Sequence, residues 1–396
     1  MGQSLSQAAD EILSHTVSRA GGAPGVVAMA CDRDGNIYEG AAGVRELGGS
    51  DAMTTDSVML LASCTKALTG TALMQLVEEG KLALEDEARR YVPEIDAIQV
   101  LDGFEPNGEA RSRKPRSAIT LGQLMLHTAG FCYDFFSADL LRYRTARDIP
   151  SILACQFAAI QDVLLHDPGE RWTYGNNIDW VGRVVEVLRG KRLGEVLRER
   201  VFTPLAMQDI GFTMTPAMRA RLASIHQRTA DGQLTAHPEI VLPQPPEMDM
   251  GGHGLYSTIG EYMKFIRMIL NDGAGAGGRV LKAETVARMA ANGLGNLKSG
   301  AWTSSNPALA NSGDFFPGLS KSWSYTFQVN DEVAPTGRAA GALAWAGLAN
   351  TFFWIDKQHG VGGMWGTQIL PFQDVGSYPG FVDFETAVYR TLRRRN

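Results

Sequence analysis

The chain has 396 residues, 44% hydrophobic and 20% charged, with a formal net charge of −6. This is the composition of a soluble globular protein long enough for two cores, and its acidic balance argues against a nucleic-acid or anionic-membrane surface. The longest apolar runs, such as "VMLLA" and "GVVAMAC", fall far short of the roughly 20 residues that span a bilayer.

The N-terminal "MGQSLSQAADEILSHTVSRAGG" lacks the basic and apolar regions of a secretory signal and reads as an amphipathic helix, with Ala8, Ile12, Leu13 and Val17 near one face. "MGQSLS" fits the myristoylation pattern at Gly2 with Ser6, a short pattern that matters only in a eukaryotic cell. Two β-like runs, Gly25 to Cys31 and Asn36 to Gly43, flank "DRDG" and predict a hairpin. In "SVMLLASCTKALTGTALMQLVEEGKL" apolar residues fall on every face from Ala67 to Val77, and Gly80 follows the last turn. A buried central helix beginning near Ser63 is expected. From about Glu85 to Met250 short helical patterns alternate with long Pro-containing connections, and no strand alternation dominates. A glycine cluster at Gly251 then leads to a helix, "STIGEYMKFIRMILNDG", capped by Ser257 or Thr258, and "NDGAGAGG" reads as a flexible surface loop. β-like runs return in "SWSYTFQVN", "AGALAWAG", "NTFFWIDK" and "VGGMWGTQIL", before a last amphipathic helix, "FVDFETAVYRTLRRR", whose arginines suit a helix C-terminus.

Strands near both ends with helices between them predict an α+β fold: an antiparallel sheet flanked by helices, built from both chain termini, with a mostly helical domain inserted. The expected division is 1–84 with 251–396 for the sheet domain and 85–250 for the insertion, the active site lying at their interface. Cys31, Cys64, Cys132 and Cys155 show no metal or redox spacing, so free thiols in a reducing cytoplasm are expected.

The chemistry begins with "LASCTKALTG", which places Ser63 and Lys66 one helical turn apart in a run of apolar and small residues. A buried ammonium costs several kcal/mol, on the order of a domain's whole stability margin, unless it is paired or gives up its proton. Residues three apart share a helix face, so a neutral lysine there can take the serine proton. The plainer alternative is a capping serine with a lysine reaching to water. What favours the catalytic reading is that Ser63 alone among the serines is followed by lysine three positions on, and that "DPGERWTYGNN" holds the chain's single Y-x-N, Tyr174 and Asn176. A tyrosine hydroxyl near a cation can pass the proton to a leaving group, and an asparagine amide can orient the lysine and the substrate carbonyl.

"SCTK", "LMLHTAGF", "YGN" and "GGHGLYST", in that order, resemble the serine β-lactamase and penicillin-binding-protein superfamily. More narrowly the chain is similar to the class C-like carboxylesterases called family VIII, which the lovastatin-type acyltransferases also resemble. The resemblance runs from about Pro24 to Tyr389 and implies Ser63 as the acylated nucleophile, Lys66 as general base and Tyr174 as the second proton-transfer group. The superfamily's K-T-G element has a near-match at Lys298, Ser299 and Gly300, but "NGLGNLKSGAW" reads as loop with no strand after it. "WAG", Trp345 to Gly347, leads into the β-like "NTFFWID" instead and resembles the W-x-G of these esterases. An indole then stands where a lysine would bind a lactam carboxylate, which favours neutral esters over anionic lactams. The resemblance also implies an oxyanion hole made by the backbone N–H groups of Ser63 and Leu348.

No G-x-S-x-G pentad exists, which argues against an α/β-hydrolase elbow. His127 reads as a structural histidine, Cys64 as a packing residue, and His253 as a substrate contact in a glycine loop. "FCYDFF" offers Phe131 and Tyr133 either as walls of a substrate pocket or as plain core. No metal, nucleotide or other cofactor motif occurs. The expected function is a serine carboxylesterase acting on small short-chain esters through an acyl-serine, with weak β-lactam cleavage in reach. The alternatives are an acyltransferase using the same intermediate, a β-lactamase or D-aminopeptidase, and a silent binding protein of the same fold. Oligomeric state has no sequence signal.

Overall fold

The hairpin across "DRDG" forms with the predicted limits, β1 (Gly25–Cys31) and β2 (Asn36–Gly43), in a computed structural model that describes residues 3–393. The Gly2 pattern and the last two arginines lie outside the described residues. The free edge of β1 does not pair with its sequence neighbours. It pairs antiparallel with the last of five strands near the other end of the chain, which complete the sheet: β3 (Lys321–Trp323), β4 (Gln328–Asn330), β5 (Leu343–Gly347), β6 (Thr351–Asp356) and β7 (Val361–Gly366), the partner of β1. The order of this seven-stranded antiparallel sheet is β3-β4-β5-β6-β7-β1-β2.

Helices cover both faces, which is why β1 and β7 are buried at every position rather than at alternate ones. On β7, Trp365 points to α5 (Tyr378–Arg393) and packs on Phe384, whereas Gly362 and Gly366 lie on the opposite face under Ile266 and Ile259 of α4 (Ile259–Leu270). α4 is capped by the Thr258 side chain, while Ser257 belongs to a short strand before it. α1 (Leu5–Ser18) packs against both β2 and α5. Because it sits in that corner, its buried stripe is Leu5, Ala9, Leu13 and Thr16, and the predicted Ala8, Ile12 and Val17 form the half-buried edge.

The central helix α2 (Thr65–Glu78) is buried on all sides from Thr65 to Leu76, packs against α3 (Asn177–Arg189), and ends where Gly80 takes φ 67°. Two polar hairpins in 85–250, Val100–Phe104 with Ala110–Arg113 and Ile225–Arg228 with Leu234–His237, are strands that the sequence pattern hides. The first of these is partly exposed and carries no apolar alternation to betray it. The "SWSYTFQVN" run is two strands and not one, since the chain reverses at Thr326 with φ 86°. The fold is α+β, an antiparallel sheet with helices on both faces.

Candidate active site

Three elements converge on Ser63. The first is the turn Ala62–Cys64 that feeds α2, in which Ala62 holds φ 44°, a left-handed conformation that a Cβ-bearing residue keeps only when its surroundings enforce it. The second is the end of β5. A Cβ at Gly347 would collide with the Leu61 carbonyl oxygen and the Thr351 hydroxyl, so only glycine lets β5 close against the Ser63 turn. The third is the glycine loop 251–255, stitched to α2 by side chains: Thr69 Oγ1 donates to Gly251 O at 2.8 Å, and Leu255 N–H donates to Thr65 Oγ1 at 3.2 Å.

Lys66 is completely buried. Its Nζ lies 3.1 Å from Ser63 Oγ, 2.9 Å from the Tyr133 phenol and 2.7 Å from Gly252 O. As an ammonium it donates to all three; as an amine it donates to two and turns its lone pair to the serine hydroxyl. Either form is satisfied, so changing between them strands no buried group. Burial pushes its pKa well down, and the Asp179 carboxylate opposes the shift. The amine stands over the Tyr174 ring, 4.7 Å from its centroid.

Tyr174 is hydrogen-bonded to Ser63 and receives the Trp345 indole N–H at 2.8 Å. Burial pushes the phenol far up, and those two hydrogen bonds offset only part of the effect. Since an indole can only donate, the phenolic oxygen accepts from Trp345.

Ser63, Tyr133, Tyr174, His253, Trp345, Gly347 and Leu348 line one cavity that opens to solvent. Phe135, Phe136, Trp302, Leu309 and Phe372 form much of the rest of its wall, and among the described residues no lysine, arginine, aspartate or glutamate lines it. His253 is buried, its pKa pushed down to about 3 by burial and then by Lys66, and neither ring nitrogen has a hydrogen-bond partner.

Two sequence candidates fall elsewhere. Phe131 is fully buried and stacks on Trp180, with ring centroids 6.3 Å apart, so the core reading of that residue holds and the pocket reading does not. Asn176 is fully buried ahead of α3 with no hydrogen-bond partner for its amide, so it makes no hydrogen bond to Lys66, and it is not part of the cavity lining. The positions assigned to it are filled by Tyr133 and the Gly252 carbonyl. His127 is structural, its Nδ1 3.0 Å from Asn177 Nδ2. Lys298 pairs with Asp331 at 2.7 Å outside the cavity, as the rejected K-S-G requires. The four thiols are free and buried, and no metal-binding cluster exists among the described residues. Gly252 O was missed because a backbone carbonyl has no side-chain signature; the "MGGHG" run was the available signal for close backbone approach.

An antiparallel sheet with helices on both faces and a serine–lysine pair at the head of its central buried helix defines the penicillin-binding-protein and serine β-lactamase class. The chain belongs to the β-lactamase family, whose model matches residues 9–379. It is 30% identical over 384 residues to monacolin J acid methylbutanoyltransferase of Aspergillus terreus, covering 92% of this chain and 91% of that one. It is 33% identical over 266 residues to lovastatin esterase of Penicillium rubens, covering 63% of this chain and 65% of that one. Among solved structures, a mutant of simvastatin synthase from Aspergillus terreus superposes with a TM-score of 0.84 at 28% identity, covering 98% of this chain and 95% of that one. No described helix is long and apolar enough to cross a membrane.

Proposed function

We propose that the protein is a serine acyltransferase that moves an acyl group from a neutral ester-type donor to an alcohol through an acyl-Ser63 intermediate. Acyl-serine chemistry is supported by the family and by the transferase relatives that match most of the chain. Hydrolysis ranks first on sequence alone; the relatives move the weight to transfer. The carrying observation is the Ser63–Lys66 pair, 3.1 Å apart, with Ser63 lining a cavity whose described wall holds no lysine, arginine, aspartate or glutamate. The mouth of this cavity is open to solvent, and its apolar walls suit neutral ligands.

Neutral Lys66 takes the Ser63 proton as Oγ attacks the acyl carbonyl. The backbone N–H groups of Ser63 and Leu348 face the developing oxyanion. Tyr174 passes a proton to the departing alkoxide. The same steps reversed, with an alcohol entering, release the product ester. Ester hydrolysis is the second reading, favoured by the likeness to an esterase.

The test is p-nitrophenyl butyrate with and without millimolar cyclohexanol, following acid and cyclohexyl ester by mass spectrometry in wild type and Ser63→Ala. Transfer predicts ester product and a butyryl adduct on wild type alone. Acid as the sole product at every acceptor concentration hands the assignment to hydrolysis, and equal rates in both proteins remove Ser63 from the mechanism.

A further inference from the structure

One buried carboxylate shares the space beneath Lys66 without belonging to the proton chain. Asp179, in the first turn of α3, is completely buried; its Oδ1 accepts the Gly252 N–H at 2.8 Å, and its Oδ2 has no hydrogen-bond partner. The carbonyl of that same glycine accepts from Lys66 Nζ at 2.7 Å. A Cβ on residue 252 would lie 2.5 Å from Asp179 Oδ2, so glycine is what allows carboxylate and loop to meet. Asp179 thus holds one side of residue 252 while Lys66 is held by the other.

We propose that Asp179 is a positioning residue for Ser63 acylation, clamping Gly252 so that its carbonyl holds the Lys66 amine with the lone pair directed at Ser63. The inference rests on the acyl-serine reading above. A neutral acceptor would suffice to hold the amide, so the charge has a separate effect. The groups facing the pair are Tyr133, Tyr174, Cys64, Cys155, His127 and His253. Burial pushes the phenol and thiol pKa values up and the histidine values down, so all six are uncharged at neutral pH. Asp179 is therefore the carboxylate set against the Lys66 ammonium; burial pushes its own pKa up to about 6 against the pull of Lys66, and in its ionised form it favours the protonated lysine.

Two substitutions separate clamp from charge. Asp179→Asn keeps an oxygen for the Gly252 N–H and loses the charge; Asp179→Ala loses both. Without the charge the ammonium releases its proton more readily, so the acid limb of kcat/KM moves to lower pH. The experiment measures pH profiles with p-nitrophenyl butyrate and, independently of turnover, titrates Lys66 by NMR in protein labelled at the lysine ε-carbon, the signal being assigned by its absence in Lys66→Arg. For Asp179→Asn, both the limb and the NMR midpoint are expected to fall by about one pH unit, with the plateau rate held within about threefold. For Asp179→Ala, the plateau is expected to drop more than about tenfold. An unmoved Lys66 midpoint in Asp179→Asn, or a wild-type plateau in Asp179→Ala, overturns the proposal. If wild type forms no acyl-serine while the midpoint still moves, the acyl-serine reading fails and the positioning of Lys66 stands. Should a position-179 variant not fold, Gly252→Ala disturbs the same contact from the loop side, and a wild-type plateau there overturns the clamp.

Discussion

The indole of Trp345 donates to the phenolic oxygen of Tyr174 at 2.8 Å, linking the W-x-G strand end to the proton-transfer tyrosine across most of the sequence. Trp345 also lines the cavity, so one side chain faces the substrate space and holds the Tyr174 phenol. Trp345→Phe keeps the ring packing on Trp323, now 4.5 Å between centroids, and removes only the donor. Loss of one such bond is worth about 1.4 kcal/mol, so kcat/KM should fall about tenfold with little change in melting temperature. Wild-type kcat/KM in this variant would show that the Trp345 hydrogen bond does not hold Tyr174 for catalysis.

The pH profile follows from the burial of Lys66. Burial disfavours the ammonium, and the base must be neutral to act. Activity is therefore present above the lysine's lowered pKa and lost as pH falls through it. The acid limb of kcat/KM should lie well below the range of an exposed lysine and should be absent from the residual hydrolysis by Lys66→Met. A limb at ordinary lysine values would show that the side chain is solvated during turnover.

Gly347→Ala is expected to damage stability and activity together. The added methyl meets the Leu61 carbonyl and the Thr351 hydroxyl, pushing β5 away from the Ser63 turn. A rigid backbone neighbour makes the cost about 1–3 kcal/mol, and the Leu348 N–H moves with the strand. Thermal melts and single-turnover acylation would register both losses; a variant that loses neither refutes the close-approach argument.

Chain length and charge of the substrate should matter in opposite senses. Each buried methylene is worth about 0.8 kcal/mol, so p-nitrophenyl octanoate should exceed the acetate in kcat/KM by more than about tenfold. A cephalosporin carries a carboxylate that no described cationic residue of the cavity wall can meet, and its turnover should trail the butyrate ester by more than about a hundredfold. Comparable rates for the lactam would revive the β-lactamase reading.

Legibility in the sequence tracked the kind of signal each feature leaves. The Gly25–Cys31 and Asn36–Gly43 strands were readable because apolar runs flank a turn tetrapeptide, and α2 because its apolar residues occupy every face. Ser63, Lys66 and Tyr174 were readable through side-chain spacing, and they meet in space. Asp179 left no such mark: an acidic residue in a helix's first turn is what the helix dipole favours anyway. Tyr133 and Phe131 are two residues apart in one aromatic run, yet the former reaches Lys66 and the latter the core, a division set by tertiary packing. The hairpin at Val100–Phe104 stayed hidden because its residues show no apolar alternation, and its other edge meets Leu164, far along the chain.

The pairing of β1 with β7, Val27 opposite Gly366, has a consequence for biosynthesis. A ribosome adding about 5–20 residues per second needs roughly 20 to 70 s to make the partner after the first strand has emerged. Throughout that interval "GVVAMAC", buried at every position in the finished protein, has one unpaired edge and uncovered faces. Nascent chains should therefore depend on chaperone holding, and any product ending before residue 361 should aggregate instead of surviving as a smaller folded unit.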